Sequence, residues 1–192
     1  AEYKMDIDLQ AAHASAPWLL THDDHEIDNN YADLVPQSKV EAEQFLQRRV
    51  AAYKAYFEHM PFRWSMRPNQ EDMKVYRKID FGQLARFYLL DTRQYRSDQP
   101  CGDGIKSVCG NVFDEDATML GNEQEQWLFD NLANSQAHWN VLAQQVMMAP
   151  VDRIMGSEVG FNMDTWAGYE VNRNKVINFL AEHNIPNAVV LT

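Results

Sequence analysis

Trp18-Leu19-Leu20-Thr21-His22-Asp23-Asp24-His25-Glu26 passes within a few residues from an apolar run to a dense polar cluster. Such a run reads as a buried strand that delivers a loop to the rim of a sheet. The cluster from His22 to Glu26 holds three carboxylates and two imidazoles in five residues. Adjacent carboxylates repel one another, and a bound cation offsets that cost. Oxygen ligands suit calcium, magnesium or ferric iron, and imidazole widens the choice to zinc or manganese. The competing reading is a solvated acidic loop with capping aspartates. The spacing fits neither a His-Glu-x-x-His helix nor an EF-hand loop.

Outward from this stretch, helical and strand-like patterns alternate. An Ala-rich helix precedes it and should stop at about Ala16, before Pro17. After it, Ser38 with Glu41 suggests a capping box for a helix ending near His59, carrying Leu46, Val50, Tyr53 and Phe57 at helical spacing. Val75 to Phe81 alternates as a half-buried strand, Gly82 interrupts, and Leu84 to Leu90 forms a more apolar strand ending in Asp91-Thr92-Arg93. A long loop from Ser97 to Met119 follows, of a length that is usually functional. Gly121 to Asn134 reads as a helix, Trp139 to Ala143 as a core strand, Gly168 to His183 as a helix and Ala188 to Thr192 as a strand. This alternation points to an α/β or α+β layered domain.

Composition narrows the function classes. The chain has 192 residues, 45% apolar and 11% aromatic, enough for a core, and a formal charge of −11. That charge argues against non-specific binding to nucleic acid or an anionic membrane surface. No apolar run reaches membrane-spanning length, and the first residues carry no signal-peptide core. Cys101 and Cys109 flank a Gly-rich loop, a spacing open to a small disulfide or to two free thiols.

Five segments together carry a family resemblance. Thr21 to Asp33 resembles the Trp-Asp-Asp-His-Glu signature of the PhoD family, with His22 at the place of Trp. Leu90 to Arg96 is similar to that family's central strand end, Leu120 to Leu128 to its next helix start, and Trp139 to Met148 to the strand and Gln-Gln turn that follow. Asn187 to Thr192 resembles the strand leading to its Gly-Asp-x-His motif. The resemblance implies an alkaline-phosphatase type of metal-dependent phosphoesterase, a branch of the calcineurin-like metallophosphoesterases. It implies a two-layer β-sandwich flanked by helices, with metals at the strand ends.

On this resemblance Asp24 takes a metal-ligand place, with Asp23 as the alternative, and His25 takes the catalytic place as general acid. Gln145 stands where the wider superfamily has a metal-binding histidine, either as a weak ligand or as half of a strand-end hydrogen-bonding pair with Gln144. Arg93 suits bidentate phosphate recognition, against the reading of an ion pair with an acidic neighbour such as Asp91. Asn30 and Tyr31 are further cleft candidates. The implied cofactors are iron and calcium, the implied partner a phosphate-ester substrate, and the implied location periplasmic or secreted, which agrees with a Cys101–Cys109 disulfide. The family's Gly-Asp-x-x-Tyr-type turn has no match in residues 1–20, and Gly-Asp-x-His would begin after Thr192. The expectation is therefore a domain incomplete at both ends, with weak or no activity and unpaired sheet edges. A non-catalytic module retaining one cation site is the competing reading.

Overall fold

Parallel strands need a crossover of a dozen residues or more, usually helical, and two such crossovers organise this chain. The computed structural model describes residues 2–192. β2 (Ala85–Leu89) runs parallel to β4 (Trp139–Ala143) through α3 (Asn122–Ala133), and β4 runs parallel to β6 (Ala188–Leu191) through α4 (Glu170–Glu182). β1 (Arg77–Phe81) closes the other side antiparallel to β2, giving the order β1-β2-β4-β6. A separate antiparallel pair joins β3 (Ile105–Lys106) to β5 (Phe161–Asn162). The two α-helices before the sheet are α1 (Ile7–Ser15) and α2 (Ala42–His59).

Period-two alternation sends Tyr88, Leu142 and Val190 to one face of the sheet. There they pack with Leu128 and Leu132 of α3, Val176 of α4, and Trp166 and Tyr169 just before α4. The register places Ile79, Phe87, Val141 and Val189 in a row on the opposite face. A second core lies under α2, where Phe45 and Tyr53 meet Ile27, Tyr31, Met73 and Val75.

The α/β class stands. The described residues form one four-stranded sheet and a two-stranded ribbon rather than two facing sheets, and β1 and β6 are its edges. Trp18 to Leu20 joins no ladder. Its continuation is held by side chains instead: Thr21 Oγ1 donates to Leu90 O, and Gln145 Nε2 donates to Thr21 Oγ1. The capping box does not form. Ser38 Oγ donates to the Asp28 carboxylate, and the helix begins later, with Glu41 at the N-cap position and no side-chain cap. The buried seam of α2 is Phe45, Arg49 and Tyr53, shifted from Leu46 and Val50. Arg49 is admitted because Asp72 and the carbonyls of Asp33 and Glu71 take its guanidinium. The long loop is not featureless. It contains β3 and a 3₁₀ turn at Gly110–Phe113, and Cys101 and Cys109 are joined in a disulfide.

Candidate active site

The carboxyl ends of parallel strands are where open α/β sheets place their functional groups. β2 exits into Leu90-Asp91-Thr92-Arg93 and β4 into Gln144-Gln145, and Thr21 to Asp24 lies against both. Gln145 ties the three together. Its Nε2 donates to Thr21 Oγ1, His22 O and Leu90 O, while its Oε1 accepts from Thr92 N and Thr92 Oγ1. The oxygen is thereby occupied twice, so the arrangement supports a strand-end pin rather than a ligand. Gln144 acts in parallel, accepting from Trp166 Nε1 at 3.1 Å.

Asp91 shapes the next turn. Its Oδ1 accepts from the backbone of Arg93 and of Gln94, both at 2.9 Å, and its Oδ2 accepts from Gln94 Nε2. This turn aims Arg93 inward, where the residue is 2% exposed. Arg93 Nε donates to Asp23 Oδ1 at 2.6 Å, and its two Nη groups donate to the two oxygens of Asp164 at 2.8 and 3.0 Å. Asp24 Oδ1 lies 3.8 Å from Nη2. The fork that a phosphate would need is thus filled by Asp164, which supports the ion-pair reading of Arg93. The partners are Asp23 and Asp164, not Asp91. Asp164 also takes Arg96, at 2.6 Å, and Arg96 in turn donates to the carbonyls of Asn30 and Tyr31.

Three carboxylates therefore face two guanidiniums at this rim. Burial raises the Asp23 carboxyl above its ordinary range, an effect that the Arg93 charge only partly offsets. For Asp24 burial acts in the same direction, but the Asn30 N–H and the Arg93 charge outweigh it, and the carboxyl is held low. Burial works against the Arg93 charge, and Asp164, Asp23 and Asp24 together outweigh it. Asn30, with φ of 50°, is a loop brace: its N–H meets Asp24 Oδ2 at 2.8 Å and its side chain meets Asp103. His25 stands outside the cluster with its side chain 75% exposed. Its Nε2 is 2.7 Å from Asn29 Oδ1 and 3.9 Å from Asp24 Oδ2. Tyr31 is buried, its hydroxyl 3.1 Å from His22 Nε2, so it belongs to the core rather than to a cleft.

The metal donors available here are few. Asp23 and Asp24 each keep one oxygen free of a close hydrogen bond, Gln145 keeps none, and among the described residues no three His, Cys, Asp or Glu side chains converge on one point. Two oxygens fall short of the six to eight that calcium takes, so these residues alone do not fit a complete cation centre. Asp164 was invisible as a site residue in the sequence, because an isolated aspartate in a loop forms no pattern. The signal that points to it is the pair Arg93 and Arg96 at a buried strand exit, since guanidiniums there require a carboxylate partner.

Residues 1–192 match the family model of the PhoD-like phosphatases. "Alkaline phosphatase D" of Bacillus subtilis (strain 168) is 50% identical over 192 residues, which is all of this chain and 33% of that protein. A solved structure described as "Structure of PhoD" superposes with a TM-score of 0.95 at 50% identity, covering 100% of this chain and 37% of its own. The chain thus spans about a third of the length of the relatives it matches. With the family model matched over the whole of this chain and the fold reproduced, the chain belongs to the PhoD-like phosphatase family.

Proposed function

We propose that this chain is part of an enzyme that hydrolyses phosphate esters with the help of bound cations. The observation that carries this is the strand-end rim, where three carboxylates outnumber two guanidiniums and an exposed His25 ring stands beside Asp24, in a chain of this family. Asp23 and Asp24 would each lend an oxygen to a cation centre completed by other groups, and iron and calcium are the ions that the family resemblance implies. His25 would donate a proton to the leaving alkoxide, the classical need of a poor leaving group at neutral pH. Arg93 would act by fixing Asp23 from behind rather than by holding phosphate. Gln145 and Asn30 would hold the two loops in register.

Monoesters and diesters are both within this reading. Export to an oxidising compartment is part of it, supported by the Cys101–Cys109 disulfide. No helix among the described residues is long and apolar enough to cross a membrane. A second reading, a module that holds a single cation without catalysis, is favoured by the shortage of donors in these residues.

The deciding experiment substitutes His25→Ala in the enzyme at the length of its relatives. Turnover of alkyl phosphates should fall about 10²-fold or more, and that of p-nitrophenyl phosphate far less, because p-nitrophenolate hardly needs protonation. Equal losses on both substrates would remove His25 from the role of acid. If neither Asp23→Asn nor Asp24→Asn lowers bound metal, the cation part of the proposal fails.

A further inference from the structure

The ring of His25 is exposed, yet a line of side chains leads from it to the disulfide loop. His25 Nε2 lies 2.7 Å from Asn29 Oδ1, Asn29 Nδ2 donates to Gln37 Oε1, and Gln37 Nε2 donates to Asp103 Oδ2. A carboxylate only accepts, so Asp103 fixes which end of the Gln37 amide faces it. That orientation turns the Gln37 oxygen to Asn29, and the Asn29 oxygen to the imidazole. The polarity of the whole line is therefore set at its far end, and His25 Nε2 must bring the hydrogen. Asp103 has a second arm: Asn30 Nδ2 is 3.1 Å from both of its oxygens, and Asn30 N donates to Asp24 Oδ2, which itself lies 3.9 Å from His25 Nε2.

Asp103 is itself held in place. It sits at φ of 34° between Gly102 at 70° and Gly104 at 77°, inside the loop closed by Cys101 and Cys109. Its Oδ1 accepts from Gly104 N at 2.6 Å, and Gly104 O accepts from Met163 N at 2.9 Å, which fastens the loop next to β5. The disulfide confines the one residue that feeds both arms.

We infer that the Cys101–Cys109 loop is a positioning device for His25: through Asp103, Gln37 and Asn29 it anchors the ring by an Nε2–H that the ring keeps throughout, and leaves Nδ1 as the nitrogen whose own proton passes to the leaving oxygen. Asp103, Gln37 and Asn29 are positioning residues, since they reach the ester only through His25. The inference rests on the proposed role of His25, but its structural half is open to a test that does not depend on activity.

That test is side-chain ¹³C relaxation of the His25 ring in the 192-residue chain. The wild-type ring should be ordered. Asp103→Ala, which touches no atom of His25, should mobilise it, as should the paired Cys101→Ser/Cys109→Ser change. Asn29→Ala should do the same. A ring equally mobile, or equally fixed, in wild type and Asp103→Ala overturns the inference whatever His25 does. On the family-length enzyme, Asp103→Ala should lower alkyl-phosphate turnover about tenfold, a fraction of the 10²–10⁴ that a placed acid contributes, with p-nitrophenyl phosphate turnover nearly unchanged. An ordered wild-type ring that Asp103→Ala frees, with no such substrate split, would retain the anchor and overturn its link to proton donation.

Discussion

Removing the Asp164 carboxylate should cost more than any other single change at the rim. In Asp164→Ala, Arg93, 2% exposed in the unsubstituted chain, loses the hydrogen-bond partners of both Nη groups and keeps Asp23 on Nε, with Asp24 Oδ1 3.8 Å from Nη2. Arg96 loses one carboxylate oxygen but retains the carbonyls of Asn30, Tyr31 and residue 164. The cost is therefore close to that of one buried ion pair broken on one side, about 3–5 kcal/mol. With a urea slope of about 2 kcal/mol/M, the midpoint should drop by about 2 M. Unfolding followed by far-ultraviolet circular dichroism and by the fluorescence of buried Trp166 reads this directly, and agreement of the two probes checks that the transition is two-state. In Arg93→Met/Asp164→Ala the orphaned charge is gone, so the double variant should recover more than about 2 kcal/mol relative to the sum of the single changes. A midpoint shift below about 0.5 M in Asp164→Ala, or strict additivity in the cycle, would refute the view that Asp164 is the main counter-charge of Arg93.

Asp24 has a folded-state carboxyl below its ordinary 3.8, so its contribution is fully present above that value and is lost as pH falls through the folded one. Asp24→Asn should flatten the stability profile below about pH 4, as measured by urea midpoints, while Asp23, whose carboxyl is raised by burial, works in the opposite sense. A Cβ on Gly168 would lie 2.4 Å from Met163 O. Gly168→Ala should therefore destabilise by about 1–3 kcal/mol, visible as a lower melting temperature. The disulfide closes a loop of sequence separation 8, and Cys101→Ser/Cys109→Ser should cost up to about 2.5 kcal/mol in a chain-entropy estimate. Thiol titration of unfolded, unreduced wild type should find no free thiol.

The elements with a regular period were legible in the sequence. Trp139–Ala143 was read at its observed limits, and α3 and α4 fell within two residues of theirs. Where reading failed, the deciding partner lay far along the chain. Trp18 to Leu20 has strand composition, but a strand exists only against a neighbouring edge, and here only the continuation at Thr21 is held, by side-chain hydrogen bonds. The buried face of α2 was misplaced by one residue because Arg49 interrupts its apolar stripe, and Arg49 is tolerated only through Asp72 and two carbonyls. At the site, the cluster from Asp23 to His25 was visible from local density and family resemblance. The enclosure of Arg93 was not, because Asp164 is 71 residues away. The local pattern leaves Gln145 open between ligand and pin, and its five hydrogen-bonding contacts support the pin.

The same Gln145 pin joins residues 124 and 55 positions apart, to Thr21 and to Leu90. Closing loops of that span costs entropy before any contact repays it, so such contacts tend to form late. α2, α3 and α4 can form from nearby residues, but the rim cannot exist until the exit of β4 has found both the exit of β2 and the Thr21 segment. In refolding, amide protection at Thr92, which donates to Gln145 Oε1, should therefore lag behind that of the helices. In the native state, the hydrogen bonds that assemble the rim should open at a lower free energy than those of β2 and β4. The chain thus gathers its chemistry at the place where its history of folding is longest.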